Sequence, residues 1–218
     1  MLDAHGRRID YVRLSVTDRC NLRCTYCMAE EMEFLPRRDL LTFEEIELLA
    51  LHLVGRGVRK IRLTGGEPLV RKGILDLVGR LGSLLGRGLE ELTVTTNGTR
   101  LPELAPAVAS AGVRRINVSL DTLDRARFAR LTRRDAFEQV MAGIAAARNA
   151  GLSIRINTVA MRATNDDEIA GLLAWCGRQG FDLALIEAMP LGDVAIDRRH
   201  AHLPLDQVRK QIERDFTL

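Results

Sequence analysis

Aromatic residues are scarce, at 4% of the sequence, so any core must be built from Leu, Val, Ile and Ala. Lysine occurs only at Lys60, Lys72 and Lys210, and the remaining basic residues are arginine. No apolar run approaches the roughly 18 residues of a membrane span. The N-terminal stretch Met1-Leu2-Asp3-Ala4-His5-Gly6-Arg7 lacks the apolar segment of a signal peptide. Low-complexity tracts and blocks of like charge, the marks of disorder, are also missing. No dense basic stripe with interleaved aromatics is seen, which argues against nucleic acid as a partner. The 32 basic and 29 acidic residues leave a net charge of only +3. These absences leave a globular chain, expected to be cytoplasmic and away from membranes. Its 218 residues suffice for a packed core, and no linker or composition shift interrupts them. A single domain over 1–218 is expected.

What is present is a regular alternation of strand and helix. Tyr11 to Thr17 alternates apolar and polar residues, as a half-buried strand does. Thr42-Phe43-Glu44-Glu45 reads as a capping box opening a helix through about Val54. Further strands are predicted from Val58 to Leu63 and over 91–96, 113–120, 152–160 and 182–187. Helices are predicted over 68–85, 102–111, 135–150, 166–179 and 205–214. Gly112, Gly151 and Gly180 stand where left-handed helix C-caps are expected. Six strand–helix units in a row predict a parallel sheet with crossover helices.

Strand faces discriminate between the two ways of winding such a sheet. A sheet covered on both sides has near-continuous apolar strands. Here Val12, Leu14 and Val16 oppose Arg13, Ser15 and Thr17, and Ile61 and Leu63 oppose Lys60, Arg62 and Thr64. The same alternation sets Thr93, Thr95 and Asn97 apart in the third strand. It separates Asn117, Ser119 and Asp121 in the fourth, and Arg155 and Asn157 in the fifth. One apolar and one polar face per strand predict an α/β partial (β/α)6 barrel around a wet interior. Arg13, Arg62 and Arg155 all fall on the polar face, with few carboxylates to match them, so a polyanion is expected there.

Cysteine is the sharpest signal. Cys20, Cys24 and Cys27 fall within eight residues, while Cys176 stands apart. Disulfides would need dispersed, even pairing, so metal ligation is the expected role. A closed zinc site needs four ligands, and no further Cys or His lies nearby. Three thiolates on an iron–sulfur cluster would leave one iron open. Cys176, beside Trp175, reads as a buried hydrophobe. His200 and His202 read as a solvated loop rather than a metal pair. Glu187 and Asp121 sit at strand ends, where they could orient a ligand or move a proton.

The CX3CX2C triplet, with Tyr26 before its last Cys, resembles the cluster loop of radical S-adenosylmethionine (SAM) enzymes. Thr64-Gly65-Gly66-Glu67-Pro68, after the second strand, is similar to that family's glycine-rich SAM segment. Further segments narrow the resemblance. Arg13-Leu14-Ser15-Val16-Thr17-Asp18-Arg19-Cys20, Thr95-Thr96-Asn97-Gly98 and Arg115-Ile116-Asn117-Val118-Ser119-Leu120-Asp121 resemble the GTP 3',8-cyclases of molybdenum-cofactor biosynthesis. The likeness runs from about Gly6 to about Gly192. It implies a radical SAM core domain in which Cys20, Cys24 and Cys27 hold one [4Fe-4S] cluster. It further implies that Tyr26, Gly66, Ser119 and Met189 contact SAM, and that Arg13, Arg62, Thr95 and Arg155 contact GTP. An electron donor such as flavodoxin or ferredoxin, and a homodimer, are implied as partners.

Two departures from the pattern stand out. Ala184 takes the place of an arginine usual in the sixth strand, and Ala29 that of a proline after Cys27-Met28. The second, C-terminal [4Fe-4S] cluster of the family, which binds guanine, has no cysteines in this sequence. Three readings follow: a GTP cyclase or its barrel fragment, a radical SAM enzyme for another small molecule or peptide, or a scaffold that uses its cysteines structurally.

Overall fold

A computed structural model describes residues 3–29, 31–188 and 198–216. Six strands lie in one sheet in chain order: β1 (Tyr11–Ser15), β2 (Lys60–Thr64), β3 (Glu91–Thr96), β4 (Arg115–Ser119), β5 (Ser153–Ala160) and β6 (Asp182–Glu187). β1 and β2, β2 and β3, and β5 and β6 pair in parallel. A doubly wound sheet reverses its strand order at a switch point. This order never reverses, as expected of successive units winding along a partial (β/α)6 barrel.

Helices α1 (Phe43–Gly55), α2 (Ile74–Gly82), α3 (Leu101–Ser110), α4 (Arg125–Thr132), α5 (Phe137–Asn149), α6 (Ile169–Gln179), α7 (Arg198–Ala201) and α8 (Leu205–Ile212) connect and follow the strands. The predicted capping box of α1 is formed. Thr42 Oγ1 accepts from the Glu45 N–H, and the Glu45 carboxylate accepts from the Thr42 N–H at 2.7 Å. Gly112, Gly151 and Gly180 all take positive φ, Gly180 as the C-cap of α6.

Three elements differ from the sequence expectation, the first being α7, a short helix over Arg198–Ala201 that takes up His200 where a solvated loop is expected. The helix predicted over 68–85 is interrupted: a 3-10 turn at Pro68–Val70 precedes α2, which starts only after Gly73 at φ +79°. Helix α4 was not predicted at all. It carries few apolar residues, of which Phe128 and Leu131 are buried. Its N-terminus is set by Asp124, whose carboxylate accepts from the Arg127 N–H at 2.6 Å.

The chain forms two compact units. The first comprises Met1–Asn21, Glu33–Asn117 and Gln139–Ile154. Its core holds Ile61, Leu63, Leu92 and Val94 of the sheet, each at most 1% exposed, with Leu77, Leu81, Leu101 and Val108 of α2 and α3. The second comprises Leu22–Met32, Val118–Glu138 and Arg155–Leu218. Ala160 and Ile169 pack there with Leu203, Val208 and Ile212, under the amphipathic face of α8.

The polar strand faces are drier than the alternation predicts. Thr93 and Asn117 are each only 2% exposed. β5 alternates cleanly between buried and half-buried residues from Ile154 onward. In β3, however, Leu92, Thr93 and Val94 are buried in succession, because a central strand is covered from both sides whatever its pattern.

Candidate functional site

In the first unit, β1 and β2 end side by side, with Ser15 in register with Thr64. Beyond them two segments of backbone run in close contact. Gly66 N–H donates to Thr17 O at 2.7 Å and Glu67 N–H to Arg19 O at 2.8 Å. Only glycine fits this approach. Gly65 has φ +148°, and a Cβ on it would fall onto the Thr17 carbonyl oxygen. One on Gly66 would come within 2.6 Å of Asp18 O, with Arg19 O nearer still. The Gly-Gly turn therefore clasps the residues leading into Cys20.

Glu67 anchors that clasp. Its carboxylate is 1% exposed and accepts from Leu69 N–H (3.0 Å), Thr96 Oγ1 (2.7 Å) and Asn97 N–H (2.5 Å). Burial pushes its carboxyl up to about 7, against the three hydrogen bonds that favour the anion. Asn97 carries the network onward. Its Oδ1 accepts from both Thr99 N–H (3.0 Å) and Thr99 Oγ1 (2.7 Å). A backbone N–H can meet only an oxygen, so the amide is fixed with its NH2 outward. That NH2 donates to Asn21 Oδ1 at 2.8 Å and to Cys20 Sγ at 3.8 Å. The first thiol of the triplet is thus tied through Asn97 to the glycine turn.

The raised carboxyl of Glu67 has a consequence for stability. The folded state binds a proton between pH 4.5 and about 7 that the unfolded chain has released, so stability falls as pH rises through that window and levels above it. By the linkage relation the loss approaches about 3 kcal/mol. Buried Asp121, pushed up to about 6, adds a loss of the same sign over a narrower range. Glu67→Gln keeps one acceptor oxygen but sets an amide NH2 against the Asn97 N–H. The variant is expected to start less stable at pH 5 and to have a visibly flatter dependence. Urea midpoints between pH 5 and 8 check this; parallel curves for the two proteins would refute it.

In the second unit, Cys24 and Cys27 share one turn, with Cys27 N–H and Met28 N–H both donating to Cys24 O at 3.0 Å. Thr25 N–H and Arg23 N–H donate to Leu131 O and Thr132 O, at the C-terminal end of α4. The helix absent from the sequence reading is therefore what holds this part of the cysteine loop. Tyr26 donates its hydroxyl to Asp121 Oδ2 at 2.6 Å, and Asp121 Oδ1 accepts from Val159 N–H at 2.8 Å. Burial, then the Asp121 charge, raises the Tyr26 phenol well above its ordinary value, so it stays protonated as the donor. Asn165 braces the same corner by donating to Asp121 O and Val159 O. Asp121 thus orients the tyrosine, a role its position at a strand end did not reveal.

The arginines divide. Arg13 and Arg62 are in register across β1 and β2, and their guanidiniums lie 5.8 and 5.3 Å from the centre of the Tyr11 ring. Arg13 Nε donates to Tyr11 Oη at 3.1 Å, and Arg62 Nε reaches Thr93 Oγ1 at 3.4 Å. Tyr11 is a member of this face that the sequence reading omitted. Glu91, in register with Lys60, is engaged by Arg115 at 2.7 Å. Arg155 differs from the expectation of an unmatched cation. It pairs with Asp182 at 3.1 Å, because the β5–β6 register sets the two residues opposite each other.

Gly66 follows β2, and Thr95 and Ser119 lie at the ends of β3 and β4, each half-buried where it lies. Met189 lies outside the described residues. Cys176 is 1% exposed and its thiol is pushed up to about 11 by burial, as a core hydrophobe should be. Among the described residues no three His, Cys, Asp or Glu side chains gather as a single-ion site; His202 Nε2 lies 3.5 Å from Glu187 Oε2 instead.

Comparison with known proteins gives the family and the fold. The model of the radical SAM superfamily matches residues 14–176. Over all 218 residues the chain is 59% identical to a GTP 3',8-cyclase of Erythrobacter litoralis (strain HTCC2594), covering 66% of that protein. It is 54% identical to the GTP 3',8-cyclase of Rhizobium etli (strain CIAT 652), covering 63%. It is 52% identical to that of Paracoccus denitrificans (strain Pd 1222), covering 64%. The chain spans slightly less than two thirds of these relatives' length. Among solved structures, Streptococcus suis SuiB bound to S-adenosylmethionine superposes with a TM-score of 0.73 at 18% identity, covering 94% of this chain and 47% of that one. HydG, a maturase of the [FeFe]-hydrogenase, gives 0.71 at 16% identity, covering 93% and 48%. At such identities the structural likeness speaks for the fold alone.

Proposed function

The chain belongs to the radical SAM superfamily, and on that premise we propose that it forms the radical-generating core of a GTP 3',8-cyclase, with all of 1–218 serving as that core. The reaction is the cyclisation of GTP to (8S)-3',8-cyclo-7,8-dihydroguanosine 5'-triphosphate, in molybdenum-cofactor biosynthesis, in the cytoplasm. Its cofactors are SAM and a [4Fe-4S] cluster.

The residues fit these groups. Three thiols on one short loop, none in a disulfide, are the soft donor set an iron–sulfur cluster takes. The clasped Gly65-Gly66 turn leaves no side chain between its backbone and a ligand. Asn117 Oδ1, on the polar face of β4, is buried without a hydrogen-bond partner and would accept from a bound molecule. Bound together, the cluster and SAM supply a radical that abstracts hydrogen from the substrate.

The chain's own residues then position and shield. Cys20, Cys24 and Cys27 hold the cluster, and the Asn97 amide directs a hydrogen bond to Cys20. Tyr26, held by Asp121, offers a fixed ring edge to SAM, joined by Gly66, Ser119 and Met189. Arg13, Arg62, Thr95 and Arg155 face GTP, and an electron donor of the flavodoxin or ferredoxin kind supplies the reductant.

The observation that carries the nucleotide is the Arg13–Arg62 pair. The two guanidiniums lie in register beside one aromatic ring, a spacing that lets both donate to one polyanion, and a triphosphate offers several acceptor oxygens. The identity of the relatives points the same way. In anaerobically reconstituted protein with dithionite, SAM and GTP, 5'-deoxyadenosine and the cyclised nucleotide are expected together. Arg62→Ala should weaken GTP binding by about 10- to 100-fold, the loss of a charge-assisted contact of about 1.5–3 kcal/mol, while leaving SAM cleavage intact. SAM cleavage with no GTP binding at millimolar concentration would sink the nucleotide assignment. That result would favour the second reading, a radical SAM enzyme for another small molecule or a peptide. One feature supports that reading: Ala184 stands opposite Asn157 where the resemblance calls for an arginine.

A further inference from the structure

Within the first unit, beside the lead-in to Cys20, lies a cavity of about 310 Å³ lined by Thr17, Arg19, Arg37, Arg71, Lys72 and two aliphatic side chains. Four cations line it and no carboxylate does. None of the four takes part in an ion pair among the described residues. Asp18, the acid adjacent in sequence, turns its Oδ2 to the Leu35 N–H at 2.6 Å. Asp39 lies near Arg38 instead. Gathering like charges without a counter-charge is unfavourable, most of all for the less solvated members.

Two details mark the cavity as built for an anion. Arg71 is preorganised: its two terminal nitrogens donate to Val16 O and Leu41 O, each at 2.6 Å, and its guanidinium lies 4.3 Å from the centre of the Phe43 ring. Those carbonyls fix its plane without neutralising its charge, and three of its five N–H groups stay available. Arg19 Nε is buried with no hydrogen-bond partner. An unsatisfied buried donor costs about 1–3 kcal/mol, which a bound acceptor recovers.

We propose that this cavity is an oxyanion site for a small phosphate-class ligand, and that its occupation braces residues 16–19, the approach to Cys20. Neither Arg13 nor Arg62 lines the cavity, and the proposal does not rest on the nucleotide reading. Residues 16–19 are already clasped on one side by the glycine turn and by Arg71 on Val16 O. An anion shared by Arg19 and Arg71 would close the other side.

Pyrophosphate is the probe. The reconstituted full chain carrying Arg13→Ala and Arg62→Ala removes competition from the other basic face. Calorimetry on this protein is expected to give saturable one-site binding with a Kd at or below about 1 mM. Adding Arg37→Ala and Lys72→Ala, both at exposed positions, should weaken it at least about tenfold. Hydrogen exchange at 16–19 should slow on adding pyrophosphate and stay unchanged in the quadruple variant. No saturable binding up to about 10 mM would overturn the proposal. Equal affinity in the double and quadruple variants, or binding without protection of 16–19, would overturn it as well.

Discussion

Gly66→Ala is expected to lower the free energy of unfolding by about 3 kcal/mol or more and to reduce SAM cleavage at least about 100-fold. The new methyl group would meet Asp18 O and Arg19 O, which are backbone atoms and cannot rotate aside as a side chain could. Relief requires the turn to part from residues 17–19, breaking the bonds from Gly66 N–H to Thr17 O and from Glu67 N–H to Arg19 O. Each broken bond forfeits about 1 kcal/mol, and each donor left buried without an acceptor costs about 1–3 kcal/mol more. Against a total stability of about 5–15 kcal/mol the change is severe. Function suffers through the same displacement, since Cys20 is the next residue after Arg19. Gly177→Ala is the control: it lies within α6 with nothing inside 4 Å of its new Cβ, and helix propensity predicts a small gain. Denaturant midpoints and the yield of 5'-deoxyadenosine check both variants. A Gly66→Ala protein with wild-type values in both would contradict the clasp.

Replacing any one of Cys20, Cys24 and Cys27 by alanine should bring iron from about four atoms per reconstituted chain to near none, with loss of visible absorbance. Two thiolates do not retain a cubane, whereas three do, leaving one iron free for another ligand. Cys176→Ala serves as the internal contrast. That thiol is 1% exposed and pushed up to about 11, so it supplies no thiolate and resists oxidation. Its variant should keep full iron content and lose only about 1 kcal/mol of stability, for the small cavity left behind. Iron and sulfide analysis of four purified, reconstituted variants decides the matter. Iron retained after loss of a loop cysteine, or lost with Cys176, would break the assignment.

Local signals were readable because their physics is local. The capping box at Thr42 and Glu45, the glycines ending the helices and the three cysteines within eight residues each act over one or two turns of chain. The six alternating units, and with them the α/β class, follow from periodicity, and the thiol donor set from the close spacing of three cysteines. Where periodicity was weak, the reading failed: α4 carries too few apolar residues to register, although Asp124 in front of it was a legible cap. Gly73 likewise divided what looked like one long helix.

Tertiary structure decided whatever depends on partners far along the chain. Strand residues show their face in the sequence, but not what stands opposite. Register alone put Asp182 against Arg155, and Arg62 beside Arg13 over Tyr11. Glu67 became a buried anchor only when Thr96 and Asn97, some 30 residues on, closed around it. Asp121 became the partner of Tyr26 across 95 residues. Burial of a carboxylate depends on how separate segments pack and on the donors they bring, and no short window of sequence contains both.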